Sequence, residues 1–135
     1  EEFDGIFTEH TLEHLYPDDA KELLKELYRI LKHNSLIRIT VPDIEKYVNF
    51  YIDRNENNKI DEFQKRYKTG CHGIRNITQN YLHFSAWDFE ELKRFLEEVG
   101  FNDVKKMESG KTQNEKLNLD LQERAWETLY VEAKK

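Results

Sequence analysis

FDGIFT at residues 3–8, PDDAKELLKELYRILK at residues 17–32 and LIRITVPD at residues 36–43 are the stretches that decide the fold. The first is short, aromatic and β-branched with few charges, the pattern of a strand buried on both faces. The second opens on Pro17 and Asp18, and Ala20, Leu23, Leu24, Leu27, Tyr28, Ile30 and Leu31 then recur at the spacing of one helical face. His33-Asn34-Ser35 breaks that helix. A second strand is expected over Leu36–Val41, ended by Pro42, which has no N–H for a ladder. Strand, amphipathic helix and strand joined by tight turns form a parallel βαβ unit, so the fold class is α/β.

Beyond this unit, residues 44–84 are polar and rich in Asn and Tyr, and read as a helical insertion over the sheet edge. Helices are expected near 44–53 and 60–68, with Gly70 and Gly73 as breakers. Ser85 and Asp88 then precede a stripe of Phe89, Leu92, Phe95, Leu96 and Val99 that ends at Gly100, predicting a capped second helix. Phe101–Met107 reads as a strand, residues 108–124 as a polar connection, and WETLYVEA at 126–133 as a closing strand. The short link between these last two permits antiparallel pairing, hence a mixed sheet. Residues 1–135 are read as one domain.

Composition narrows the classes. Hydrophobic residues make up 38% of the 135, and eight Phe, seven Tyr and two Trp supply enough bulk for one modest core. Both charge signs are interleaved and the net charge is −6 with no basic block, so nucleic acid is not an expected partner. No apolar run approaches the roughly 20 residues of a spanning helix, and the first residues do not read as a secretion signal. Neither a membrane nor export is expected. Cys71 is the lone cysteine, which excludes an internal disulfide and fits a reducing compartment, with the cytoplasm as the expected location. The chain starts Glu1-Glu2-Phe3-Asp4 without an initiator Met, directly into the first strand, and so reads as a fragment or a processed form.

FDGIFTEHTLEHL, ELYRILK, LIRITVPD, the helix ending EEVGF and the final TLYVEAKK, in this order and spacing, resemble the second half of class I S-adenosylmethionine-dependent methyltransferases. A group of small predicted methyltransferases carrying an EHxLEHL segment is particularly similar. The resemblance implies a partial Rossmann-like sheet in which Phe3–Thr8 is the family's fourth strand, with the first three strands absent. In the family, a glycine-rich turn cradles the carboxypropyl end of S-adenosylmethionine and an acidic residue holds the ribose, and neither has a counterpart here. Lys32-His33-Asn34-Ser35 stands where relatives read lysine, proline, glycine, glycine. Asn34 tolerates the left-handed backbone of a glycine, so the turn can survive the change.

Ligands of open α/β sheets sit beyond the carboxyl ends of the strands, which selects Thr8, Glu9 and His10 after one strand and Pro42 and Asp43 after the next. The resemblance implies that Thr8, Glu9 and His10 pass the methionine end of the cofactor. It also implies that His10 or His14 takes a proton from an acceptor hydroxyl or amine, a task that suits imidazole. Asp43, with Tyr47, His72, Tyr81 and His83 of the insertion, is expected on the side of a small-molecule substrate. Glu13 and His14 also have a structural reading, capping the following helix or bonding buried backbone.

Two metal patterns are weighed and set aside, so no metal is expected. His10-Thr-Leu-Glu13-His14 matches H-x-x-E-H, but that geometry needs a continuous helix and a third ligand, and a strand end and Pro17 flank it. Residues 53–64 space oxygen ligands like a calcium loop, but Gln64 replaces the bidentate Glu and Asn58 the turn Gly. Two function readings remain. One is a methyltransferase acting on a small or saccharide-like acceptor, with cofactor binding by this chain alone doubtful. The other is a non-catalytic interaction module whose exposed first strand pairs into a homodimer or swapped assembly.

Overall fold

β1 (Phe3–Glu9) lies parallel to β2 (Leu31–Pro42), and α1 (Pro17–Ile30) carries the chain between them. The computed structural model describes residues 1–54 and 61–135. After β2 come α2 (Ile44–Asp53), α3 (Glu62–Arg66), α4 (Gly70–Gln79) and α5 (Phe89–Val99), then β3 (Asn102–Met107) and β4 (Thr128–Lys134). The four-stranded sheet has the order β1-β2-β4-β3, with β4 antiparallel to both neighbours. This is the expected α/β class with a mixed sheet.

Alternation along the two central strands separates the faces. Ile37, Ile39 and Val41 of β2 join Leu129, Val131 and Ala133 of β4, Ala20 and Leu24 of α1, and Leu92, Phe95 and Leu96 of α5 in one buried cluster. Arg38, Thr40, Tyr130 and Glu132 alternate with them and are buried as well. The connection between β3 and β4 covers this second face. Arg38 donates to both Asp120 carboxylate oxygens, to Glu132 Oε2 at 2.7 Å and to the carbonyls of Glu108 and Lys111, which uses all five guanidinium N–H groups.

Three expectations change. β1 is half-buried at best rather than buried on both faces, because among the described residues it is an edge strand paired to β2 alone. The 33–35 break is a bulge inside β2 instead of a loop before it. Phe3 pairs with Leu31 and Gly5 with Leu36, and Asn34 takes φ +63° while its N–H donates to the Lys135 carbonyl. The left-handed tolerance of Asn is used there.

The third change concerns the insertion, which walls the carboxyl end of the sheet and has a small core of its own: Tyr47, Phe50, Phe63, Tyr67 and Ile77. Gly70 and Gly73 lie inside α4 rather than breaking it. A Cβ on Gly73 would sit 3.4 Å from the Phe50 ring and one on Gly70 2.5 Å from that of Tyr51, so close packing of α4 on α2 calls for glycine. At α5 the cap is Asp88, which accepts from Glu91 N, while Ser85 bonds the Leu12 carbonyl and accepts from the Trp87 indole. Residues 55–60, the middle of the calcium-like stretch, lie outside the described residues. Among the described residues no helix is long and apolar enough to cross a membrane.

Candidate functional site

β1 and β2 end side by side. Glu9 is paired with Thr40, and the His10 N–H donates to the Thr40 carbonyl at 3.0 Å. Thr40 Oγ1 lies 2.8 Å from Glu9 Oε2 and orients that carboxylate. β4 runs the other way, so its first residue, Thr128, pairs with Pro42 and delivers Trp126 and Glu127 to the same end. A cleft of about 660 Å³ opens there. Glu9, His10, Glu13, His14 and Pro42 line one side, Tyr47, Arg66, Tyr67, Asn76, Tyr81 and His83 come from the insertion, and Glu123, Arg124, Trp126 and Glu127 close it.

His10 sits at φ +44°, a left-handed conformation that turns the chain sharply out of the strand. Its Nε2 lies 2.9 Å from Thr128 Oγ1, whose own proton goes to the Arg124 carbonyl. Nε2 therefore carries the imidazole proton, and Nδ1 is left as a lone pair 3.8 Å from Glu13 Oε1. Burial, reinforced by the positive charge of Arg124, pushes the His10 pKa down to about 4, so the ring is neutral at pH 7.

Glu13 is 2% exposed, and neither carboxylate oxygen has a hydrogen-bond partner among the described residues. Burial, with the nearby negative charges of Glu127 and Glu9, pushes its pKa up to about 7. The 3₁₀ turn Leu12–His14 holds it, and the Glu13 carbonyl accepts from the Phe84 and Ser85 N–H groups, which pins the end of the insertion against this turn.

The opposite wall is a hydrogen-bond relay. Asn76 donates to the Tyr67 hydroxyl at 2.8 Å, the Tyr67 and Tyr47 hydroxyls are 3.1 Å apart, and Tyr47 donates to Glu127. Burial and the Glu127 carboxylate push the Tyr47 phenol well above its ordinary value, so it serves as a donor. Lys46 Nζ donates to the Ala125 and Thr128 carbonyls and fixes the segment bearing Trp126 and Glu127.

Of the residues singled out from sequence, Glu9, His10, His14, Tyr47, Tyr81 and His83 meet in this cleft. Thr8, Asp43 and His72 do not line it. The Thr8 hydroxyl is buried without a hydrogen-bond partner among the described residues. Asp43 is 1% exposed because its side chain caps α2, accepting from Glu45 N at 3.0 Å. His72 lies in the first turn of α4 with its ring edge-on to Tyr67 and its Nδ1 accepting from Lys68 N. Arg66, Tyr67, Asn76 and the 123–127 segment were missed. A usable signal existed for the last: once the closing strand is read as antiparallel, its start must lie at the carboxyl ends of its parallel neighbours.

Residues 1–39 match the sequence profile of a family described as a methyltransferase domain. Among solved structures, a SAM-dependent methyltransferase from Archaeoglobus fulgidus superposes with a TM-score of 0.56 at 24% identity, over 99% of this chain and 60% of that one. The Haemonchus contortus phosphoethanolamine N-methyltransferase 2, solved with S-adenosyl-L-methionine, superposes with a TM-score of 0.52 at 14% identity, over 98% of this chain and 33% of that one. No curated protein matches by sequence. The fold is thus a partial methyltransferase fold, and the chain spans 60% of the archaeal protein's length.

Proposed function

We propose, from the premise of a partial methyltransferase fold, that this chain forms the acceptor side of an S-adenosylmethionine-dependent methyltransferase acting on a small or saccharide-like compound. The observation that carries the reading is the juxtaposition of Glu9 and His10, which line the cleft and lie inside the segment matched to the methyltransferase profile, with Thr40 on the neighbouring strand. S-adenosylmethionine supplies a methyl on a sulfonium, and as the C–S bond breaks a C–O or C–N bond forms and the acceptor loses a proton.

Glu9, held by Thr40, suits the cationic methionine end, and the acid lining of Glu9, Glu13, Glu123 and Glu127 suits a positively charged donor. Thr8 contributes backbone, its carbonyl lying 3.2 Å from Thr40 Oγ1. Tyr47, Tyr81 and His83 face the acceptor. His10, with Nδ1 free, is positioned to take the acceptor's proton, and His14 stands beside the same carboxylate. Transfer from a sulfonium depends mainly on in-line placement, which the relay-braced wall around Tyr47 supports.

Calorimetric titration with S-adenosylhomocysteine tests this. A form joined to a glycine-rich strand–turn–helix ahead of β1 is expected to bind, the 135-residue chain to bind weakly or not at all, and Glu9→Ala to weaken the joined form by roughly 10-fold or more. No binding by the joined form, or equally tight binding by both, contradicts the reading.

A second reading rests on the outer edge of β1, which has no strand partner among the described residues. Such an edge pairs readily with another strand, and a homodimer or swapped assembly follows. Light scattering at high concentration is then expected to give twice the monomer mass, and a strictly monomeric species removes this reading.

A further inference from the structure

Three imidazoles in the cleft converge on one buried carboxyl group. The His83 Nδ1 lies 2.7 Å from the Ile77 carbonyl and the His14 Nδ1 3.3 Å from the Leu82 carbonyl. A carbonyl only accepts, so in both rings Nδ1 carries a hydrogen, and in the neutral form of either ring Nε2 presents a lone pair. His14 Nε2 is 3.6 Å from Glu13 Oε1, and His10 Nδ1, also a lone pair, approaches the same oxygen at 3.8 Å. One ligand atom each from Glu13, His14 and His83 lies within 4.8 Å of the others.

Lone pair facing lone pair around a carboxylate that is 2% exposed and has no hydrogen-bond partner among the described residues is electrostatically unfavourable unless a proton or a metal cation sits among them, and the convergence of three ligand atoms within 4.8 Å fits a metal cation. We propose that Glu13, His14 and His83 form a site for a divalent first-row transition-metal ion at the wall of the cleft. Two imidazoles and one carboxylate are a recognised donor set for zinc and for other ions of this row, and they leave coordination positions open. Both histidines also give Nδ1–H to a backbone carbonyl, an arrangement that fixes the tautomer and leaves Nε2 to serve as the metal ligand.

The sequence pattern was set aside for want of a continuous helix and a third ligand. The turn holding Glu13 and His14 is indeed 3₁₀ rather than α, but His83 arrives from the insertion to complete the set. Phe84 N–H and Ser85 N–H, both bonded to the Glu13 carbonyl, hold it there. The ion's role, though not its occupancy, rests on the methyl-transfer reading. With His14 engaged, His10 alone keeps a free nitrogen for the acceptor's proton, and the open coordination positions suit an acceptor oxygen.

The test needs no methyl donor, so its failure is separable from failure of that reading. Metal-stripped protein is titrated calorimetrically with Zn²⁺ and with Mn²⁺, and its thermal unfolding is followed with and without each ion. One equivalent of at least one ion is expected to bind, raising Tm by roughly 10 °C at a hundredfold excess over Kd. His83→Ala is expected to weaken binding by a hundredfold or more, and the distant His72→Ala to leave it unchanged. Should His83→Ala fail to fold by circular dichroism, His14→Ala, at a more exposed position, replaces it. Absence of binding at 1 mM ion, or wild-type affinity in the folded His83→Ala or His14→Ala protein, overturns the proposal.

Discussion

Replacing Arg38 by Met should be among the most damaging single changes, and its size follows from the groups left behind. Arg38 and Glu132 are 0% exposed at their side chains and Asp120 is 1% exposed. Met fills much of the volume but leaves two buried carboxylates without their cation, a loss of about 3–5 kcal/mol when one partner of a buried ion pair is removed. With an unfolding entropy of about 2.1 cal/mol/K per residue, the 135-residue chain moves by roughly 3.5 °C per kcal/mol, so Tm should fall by roughly 11–18 °C. The damage should reach the cleft, because Arg38 anchors the connection that continues into Arg124, Trp126 and Glu127.

The assay is differential scanning calorimetry of the wild type, Arg38→Met, Glu132→Leu and the double variant as a cycle. A coupling of at least about 1 kcal/mol is expected, the double being less destabilised than the sum of the singles. Additive singles, or an Arg38→Met protein within about 1 kcal/mol of the wild type, would refute the claim that this ion network holds the second face.

Burial would raise the Glu132 carboxyl, yet contacts from Thr112, Gln113 and Arg38 outweigh it and hold the pKa below the ordinary 4.5. A depressed acid stabilises above its unfolded value, so the Glu132 contribution to stability should be level above about pH 5 and fall as pH drops below 4.5, and Glu132→Gln should flatten that acid slope in unfolding curves. Gly70→Ala improves intrinsic helix propensity but puts a methyl 2.5 Å from the Tyr51 ring and 3.0 Å from its Cα. A net loss of about 1–3 kcal/mol by denaturant titration is expected, and a gain in stability would show that α4 and α2 are less tightly apposed.

The sheet was legible because hydrophobic runs and breakers are local signals. Leu36–Val41 and the stripe from Ala20 to Leu31 need no distant partner to be read. What escaped reading depends on distant partners. Gly70 and Gly73 look like breakers until Phe50 and Tyr51 are packed against them. Asp43 looks like a cleft residue by position at a strand end, but capping α2 turns its carboxylate inward. Glu13 and His14 were visible as an H-x-x-E-H pattern, whereas His83 is distant in sequence and meets them through backbone bonds from Phe84 and Ser85 to Glu13. Arg38 and Glu132 sit where strand alternation places one polar layer, yet only the register that sets Arg38 opposite Glu132 shows why both are buried.

If the carboxyl ends of β1 and β2 form the proposed methyl-donor and acceptor cleft, the side-chain nitrogens of the five histidines should report it by NMR, in the chain joined to a glycine-rich segment ahead of β1 and titrated with S-adenosylhomocysteine. His10 is expected to shift most, with smaller changes at His14 and His83 and none at His33 and His72. A saturable response confined to His33 and His72, or none at any histidine when the cofactor product is bound, would contradict the account.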